Sequence, residues 1–263
     1  MNKRKLSVKN FIEDFQSNNS ESEDLDESNG EDFSSNLIFD INDLVLDESE
    51  SNLENYNKLK NILDSCSSCQ LSDAFNVVTN GSCVIEGLKS INNKKAYGKV
   101  FTAETNSDDW GTSILAVDYA EEGDFLLINS VGDNVAIWGE LASKYAENNG
   151  IVGVAIYGES RDVDAVVNLD FPVFSVNTVP NAGSPLGEGK LNTDLEIGDM
   201  IISPGDFIFG DENGVIIIPK DLFSDVICQT YNIILKESEI KKEIENGRLL
   251  SEIVSLRWDI SFS

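Results

Sequence analysis

Apolar and polar positions follow two periods along this chain, and the switches between them mark out its elements. NYNKLKNIL (residues 55–63) places apolar groups at helical spacing, and a second short helix is predicted in SCSSCQLSDAF (65–75), with Ser72 or Asp73 as its cap. KKAYGKVFTAET (94–105) alternates like a half-buried strand, while GDFLLINSV (123–131) is a short apolar run after a Gly-Asp turn, as expected of a buried strand. WGELASKYAENNG (138–150) returns to helical spacing through Trp138, Leu141, Ala142, Tyr145 and Ala146 and stops at Asn149 and Gly150. IVGVAIYG (151–158) is another buried strand, followed by the loop ESRD (159–162), so strand, helix and strand form a β-α-β unit with parallel strands. FPVFSVNTV, MIISPGDFIFG and GVIIIPK are short β-rich runs broken by Pro-Gly-Asp and Asp-Glu-Asn-Gly turns, and a long amphipathic helix over 221–246 finishes the pattern. The order predicts a layered α/β domain without internal repeats.

The first part of the chain has no such pattern. Residues 17–52 are a Ser, Asn, Asp and Glu tract too poor in apolar groups to offset the entropy of ordering. Within it, LIFDINDLVL (37–46) reads as an apolar segment of a solvated tail, with a short docking helix or strand as the alternative. The expected division is an acidic, largely disordered tail over 1–55 and one domain over 56–263.

Charge and composition narrow the function. The 263 residues carry a formal net charge of −28, and residues 1–57 hold 15 Asp or Glu against 4 Lys or Arg. Such a surface repels phosphate backbones, so neither nucleic acid nor an anionic membrane is an expected partner. No run approaches the roughly 18 apolar residues needed to cross a bilayer, and the basic opening MNKRKLSVKN has no apolar stretch behind it, which points to a cytoplasmic protein. Four cysteines (Cys66, Cys69, Cys83, Cys228) suggest no disulfide framework. The absence of histidine removes Ser-His-Asp and Cys-His nucleophile pairs, His-ligated zinc and a phosphohistidine role.

The candidate chemistry lies in the β-α-β unit. Its second strand delivers Arg161 and Asp162 at its end, and its helix delivers Glu140 at its start, separated from Arg161 by 20 residues. Carboxyl ends of parallel strands and amino ends of the following helices form the crevice where α/β folds bind ligands, and free N–H groups there favour anions. Arg161 offers a planar fork for a carboxylate or developing enolate, Asp162 a hard oxygen for a divalent cation, and Glu140 a group to order that cation's waters. The competing interpretation is a surface Arg161–Asp162 ion pair worth under about 1 kcal/mol, with Glu140 only at a helix terminus.

From about Cys66 to Pro219 the order of segments is similar to RraA-like proteins. The matching pieces are CQLSDA, GDFLLI, WGELAS, GIVGVAIYGESRDV, PVF, PGDFIFGDENGVIIIP and the closing helix. The aldolases of that family present Asp, 20 residues, then Arg-Asp; here Glu140 stands at the first position, followed by Arg161 and Asp162. The resemblance implies a β/β/α sandwich related to swivelling phosphohistidine domains, a homotrimer or hexamer with sites between subunits, and a magnesium or manganese ion. By resemblance Asp162 ligates the metal, Arg161 binds substrate oxygens, and backbone amides near Leu141 and Ala142 hold a pyruvate carboxylate. Glu237 or Glu239, on the terminal helix, is the candidate for the acidic group a neighbouring subunit contributes. The implied activity is metal-dependent cleavage of a small 2-oxo acid through a pyruvate enolate, as in 4-hydroxy-4-methyl-2-oxoglutarate aldolase or oxaloacetate decarboxylase. Other RraA-like proteins are non-catalytic regulators of a ribonuclease complex, which is the alternative.

Several further signals carry less. Cys66-Ser67-Ser68-Cys69 has no second pair at metal spacing and reads as ordinary buried cysteines. GSPLGEGKL (183–191) lacks the first glycine and the final Ser or Thr of a phosphate loop, so it is predicted to be a mobile loop. Asp206, Asp211 and Glu212 fall in ordinary turn sequences without EF-hand spacing. Trp110, Trp138 and Trp258 have no interleaved basic residues, which favours core or subunit-contact roles over base stacking.

Overall fold

A computed structural model describes residues 50–132 and 135–256. The tract at 17–52 lies outside these residues up to 49, as do LIFDINDLVL and Trp258; Glu50, Ser51 and Asn52 begin the first helix.

Two helices open the described chain, α1 (Glu50–Ser65) and α2 (Ser68–Thr79). The cap of α2 is Ser67, five residues before Ser72 and six before Asp73. Ser67 Oγ accepts the Gln70 N–H and the Gln70 side chain accepts the Ser67 N–H, a reciprocal box that satisfies two of the helix's open donors and so fixes its start. Ser68 then donates its N–H and hydroxyl to Asp211, tying the helix to a distant hairpin.

The strands are β1 (Lys89–Ser90), β2 (Ala96–Asn106), β3 (Phe125–Val131), β4 (Ala136–Trp138), β5 (Gly153–Ser160), β6 (Val173–Thr178), β7 (Lys190–Leu191), β8 (Leu195–Ile197), β9 (Met200–Ile202), β10 (Phe207–Asp211) and β11 (Gly214–Ile218). Nine form one sheet with the path β1-β6-β5-β3-β2-β10-β11, in which β4 pairs with β5 and β7 with β2; β8 and β9 form a separate hairpin. Pairs β2–β3, β3–β5, β4–β5 and β5–β6 are parallel, and the outer pairs are antiparallel. The chain between α2 and β1 runs along β11, where Ile85 N–H donates to Val215 and Ile217 N–H to Cys83, before β1 pairs with β6. The sheet therefore bends round until its two ends nearly meet. MIISPGDFIFG divides between β9 and β10 at its Pro-Gly-Asp turn, so its two halves serve different sheets.

Alternation along the strands separates three packed layers. Phe125 and Leu127 point inward to meet Ala155, Phe174, Ile197, Ile208 and Val215. Leu126 and Ile128 point outward under α3 (Gly111–Tyr119), α4 (Glu140–Asn148) and α5 (Val163–Val166), with Ala116, Trp138, Ala146 and Val166. On the other side, Phe207 and Phe209 pack with Leu59, Leu71 and Phe223 beneath α1, α2 and the long helix α6 (Phe223–Glu245), which follows a 3₁₀ turn at Lys220–Leu222; a short helix α7 (Leu250–Ile253) comes last. Cys66 and Cys83 are buried here, and burial pushes their thiols up to about 12 and about 11, as for inert core cysteines. All four cysteines are free, and Cys69 departs from the expected burial: it is exposed on α2. Asp206 and Asp211 accept backbone N–H groups of Ser203 and Lys220, and of Ser68 and Asn213, so both carboxylates do turn and cap work.

GSPLGEGKL differs from its expectation: it is pinned rather than mobile. Asp109, buried after β2, accepts the N–H groups of Leu186, Gly187 and Glu188 at 3.0, 2.8 and 2.9 Å, that of Gly111 at 2.8 Å, and the Thr105 and Thr112 hydroxyls at 3.1 and 2.7 Å. The glycines let the loop come this close. A Cβ at Gly183 would lie 2.0 Å from the Asp108 carbonyl oxygen, and one at Gly189 2.3 Å from that of Glu104. Burial alone would raise the Asp109 pKa, but the hydrogen bonds from Gly187, Thr112, Glu188 and Thr105 outweigh it and hold the carboxyl below the usual carboxylate range.

A carboxyl whose folded pKa is depressed stabilises the fold fully above its unfolded value of about 3.9, and that contribution fades as pH falls towards the folded value. Asp109→Ala leaves several buried N–H groups without acceptors, and the expected loss is more than about 3 kcal/mol at pH 7. Chemical denaturation at pH 7 and at pH 3 checks both points: the difference between wild type and variant shrinks at the lower pH.

Candidate active site at the carboxyl edge of the parallel strands

Strands β2, β3, β4 and β5 all end at one edge of the sheet, where α3 and α4 begin. The two helix starts differ. At α3 the Gly111 N–H is already taken by Asp109. At α4 the N-cap is Gly139, which has no side chain, and the first-turn N–H groups of Leu141 and Ala142 have no acceptor within the helix. That start is the open anion-favouring end.

Arg161 and Asp162 occupy the turn between β5 and α5. Arg161 N–H donates to the Trp138 carbonyl at 2.9 Å, which continues the β4–β5 pairing past its last strand residue. Asp162 caps α5 with its own carbonyl, which accepts the Ala165 and Val166 N–H groups, and holds φ at +57°. That left-handed conformation is uncommon outside glycine, although Asp tolerates it better than most residues, and it persists where the surroundings enforce it.

The neighbour that leaves room for this turn is Gly139. A Cβ at that position would lie 2.4 Å from Asp162 Oδ2 and 3.1 Å from Arg161 Cγ, both side-chain atoms, so a residue larger than glycine would displace the carboxylate from its place. Gly139 itself is extended, with φ −169°, so what glycine contributes here is space rather than backbone freedom. In this approach the Glu140 N–H donates to Asp162 Oδ2 at 3.2 Å and Arg161 Nε lies 3.5 Å from the same oxygen. Asp162 Oδ1 has no hydrogen bond among the described residues. The side chains of Arg161 and Asp162 are 40 and 38% exposed, and such a pair contributes under about 1 kcal/mol. A weak pair held on a strained backbone is poorly explained as a device for stability.

The three residues singled out by their spacing therefore meet, with one qualification. Glu140 reaches Asp162 through its backbone N–H, while its carboxylate pairs with Lys144 one turn along α4. Leu141 is 78% exposed and Ala142 buried, so only their N–H groups are common to the open end. Glu237 accepts a hydrogen bond from Gln70 at 2.7 Å within the same chain. No group of three or more Asp, Glu or Cys that could hold a metal occurs among the described residues, so any cation here depends on Asp162 with water and ligand oxygens. That donor set suits Mg²⁺, which commonly takes one or two carboxylates and keeps several waters. Sequence reasoning passed over Gly139 and Ser143; the signal was a glycine directly before a helix whose partner turn lies 20 residues on.

A family model described as RraA-like, Aldolase/RraA, matches residues 68–217. An uncharacterized protein of Methanocaldococcus jannaschii is 37% identical over 201 residues, covering 74% of this chain and 93% of that one. A protein of Halalkalibacterium halodurans carrying the provisional name 4-hydroxy-4-methyl-2-oxoglutarate aldolase is 31% identical over 188 residues, 71% of this chain and 86% of its own. Among solved structures, an uncharacterized protein from Pseudomonas syringae pv. tomato shares the fold with a TM-score of 0.68 at 22% identity, over 76% of this chain and 94% of its own. The RNA-processing inhibitor RraA from Thermus thermophilis does so with 0.52 at 19% identity, over 56 and 92%.

Gly139→Ala is expected to cost about 1–3 kcal/mol through the clash with Asp162, as overpacking does. Adding Asp162→Gly removes the clashing carboxylate and suits the positive φ, so the double variant should regain most of that loss in thermal melts. Equal melting of Gly139→Ala and wild type would contradict the steric account.

Proposed function

The chain belongs to the RraA-like family, and on that premise we propose that it is a lyase that cleaves a carbon–carbon bond of a small 2-oxo acid through a pyruvate enolate. The observation that carries this reading is the meeting of Arg161, Asp162 and the open start of α4 around Gly139. Either 4-hydroxy-4-methyl-2-oxoglutarate or oxaloacetate fits, since aldol cleavage of the one and decarboxylation of the other leave the same enolate.

Each group has a task that its chemistry suits. The N–H groups of Leu141 and Ala142 bind the substrate carboxylate at the positive end of α4. Beyond its contact with Asp162, the Arg161 guanidinium has N–H groups without acceptors among the described residues, and these bind the oxygen on which negative charge develops. Asp162, with Oδ2 occupied by the Glu140 N–H and Oδ1 open, is the ligand for Mg²⁺ or Mn²⁺. The chemistry such a cation supplies when bound is Lewis-acid polarisation of a 2-oxo group. Glu140 is one methylene longer than the Asp of the aldolase pattern and is turned to Lys144, so it acts on surrounding water rather than as a direct ligand.

The exposed apolar residues Leu141, Tyr145, Val163 and Val167 adjoin this edge on α4 and around α5. They support a subunit contact beside the site, in a homotrimer or hexamer, and light scattering on the purified chain measures its mass directly.

Pyruvate release from both substrates, with Mg²⁺ or Mn²⁺ and after chelation, tests the reading. Asp162→Ala is expected to abolish metal-dependent turnover, and Arg161→Ala to lower kcat about 10²- to 10³-fold, as the loss of a group facing developing charge does. Wild-type protein that releases no pyruvate above the buffer control from either substrate would sink the lyase reading and favour the non-catalytic, partner-binding role.

A further inference from the structure

Resting on the lyase reading above, we propose that Trp138 and Ser143 are positioning residues, forming a buried relay that sets the Asp162 carboxylate for the cation. Four links connect them. The Trp138 indole N–H donates to Ser143 Oγ at 2.9 Å, and the Ser143 hydroxyl donates to the Gly139 carbonyl at 2.9 Å. The Ser143 N–H reaches that same carbonyl at 3.0 Å. Across the same peptide plane, the Glu140 N–H donates to Asp162 Oδ2 at 3.2 Å. Because a peptide unit is planar, fixing the Gly139 carbonyl on one side fixes where the Glu140 N–H points on the other. The relay thus ends on one oxygen of Asp162 and leaves Oδ1 for the ligand.

Burial makes the relay stiff. Ser143 is 0% and Trp138 2% exposed, and the indole stacks on Phe171 with ring centroids 6.5 Å apart. The Ser143 hydroxyl has one proton, which goes to Gly139, so it serves the indole only as acceptor; neither bond can reverse, since the indole N–H only donates and the carbonyl only accepts. The Trp138 backbone takes part as well, since its carbonyl accepts the Arg161 N–H at 2.9 Å. One residue therefore steadies both halves of the site, with its side chain behind Gly139 and its carbonyl behind Arg161. The peptide it steadies follows a residue that has no side chain of its own to resist rotation, which is where an external restraint matters most.

Groups that orient a metal ligand in this way typically contribute 10- to 100-fold in metal affinity. Mn²⁺ binding to the full-length chain, followed by the electron paramagnetic resonance of the free ion, reads the relay without any need for turnover. Ser143→Ala is expected to weaken Mn²⁺ about 10-fold, and Ser143→Thr, which keeps the hydroxyl, to stay within about 3-fold of wild type. Trp138→Phe should weaken it as well. Links in series do not add, so Trp138→Phe combined with Ser143→Ala should be no weaker than Ser143→Ala alone. Thermal melts of each variant set the folded fraction, so that a loss of stability is not counted as a loss of affinity. If wild type binds Mn²⁺ and folded Ser143→Ala binds it equally well, or if the two substitutions add, the relay is overturned and the lyase reading stands. If wild type binds no Mn²⁺, the metal-dependent reading fails and the relay fails with it.

Discussion

One close approach organises the carboxyl edge of this sheet: residue 139 has no side chain, and the Asp162 carboxylate takes that place. The ends of β4 and β5 run side by side, and the turn after β5 folds back over the start of α4 until Asp162 occupies the space a Cβ at 139 would fill. The rest of the arrangement depends on that approach. It brings the Glu140 N–H within reach of Asp162, it draws Arg161 under the Trp138 carbonyl, and it holds Asp162 in a left-handed conformation that an isolated turn would abandon. A half-exposed ion pair is too weak to pay for this strain, so the strain is sustained by the strands and the buried relay behind them.

The same edge shows why one helix start is available to a ligand and its neighbour is not. α3 and α4 both begin there, and each presents unpaired N–H groups that attract negative charge. At α3 the chain supplies that charge itself through Asp109, whose carboxylate also gathers the loop at 186–188 and the hydroxyls of Thr105 and Thr112. The result is a closed knot that fixes the loop beside the crevice. At α4 the N-cap is glycine, Asp162 takes only the first N–H, and the next two remain for a ligand.

Much of the fold was legible in the sequence because its strands are buried and its turns are chemically explicit. GDFLLINSV, IVGVAIYG and the closing helix gave strong patterns, and the parallel β-α-β unit followed from their order. α3 was not legible: GTSILAVDY has apolar groups on all sides and so no helical face to detect, and the Asp109 side chain that accepts its first N–H stands before the N-cap residue. The pinned loop at 183–191 was misjudged for a related reason, because its order comes from Asp109, which lies more than 70 residues earlier in the chain. At the site, spacing brought Glu140, Arg161 and Asp162 to one place, but it carried no information on rotamers. The turn of the Glu140 carboxylate to Lys144 is decided by an i,i+4 neighbour on the helix surface.

The charge of the protein poses a last problem, since residues 58–263 hold 32 Asp or Glu against 15 Lys or Arg and the proposed substrates are anions. Long-range attraction cannot bring them in. At physiological ionic strength, however, exposed charges beyond about 8–10 Å are largely screened, so binding is decided by what lies within that radius of the crevice. There the groups suited to an anion are local: Arg161 has open N–H groups, α4 presents the positive end of its dipole, Glu140 is paired with Lys144, and on the proposed reading Asp162 carries a cation. On the proposed reading, an acidic chain holds an acidic substrate with affinity that comes from local groups around Gly139 rather than from the field of the whole molecule.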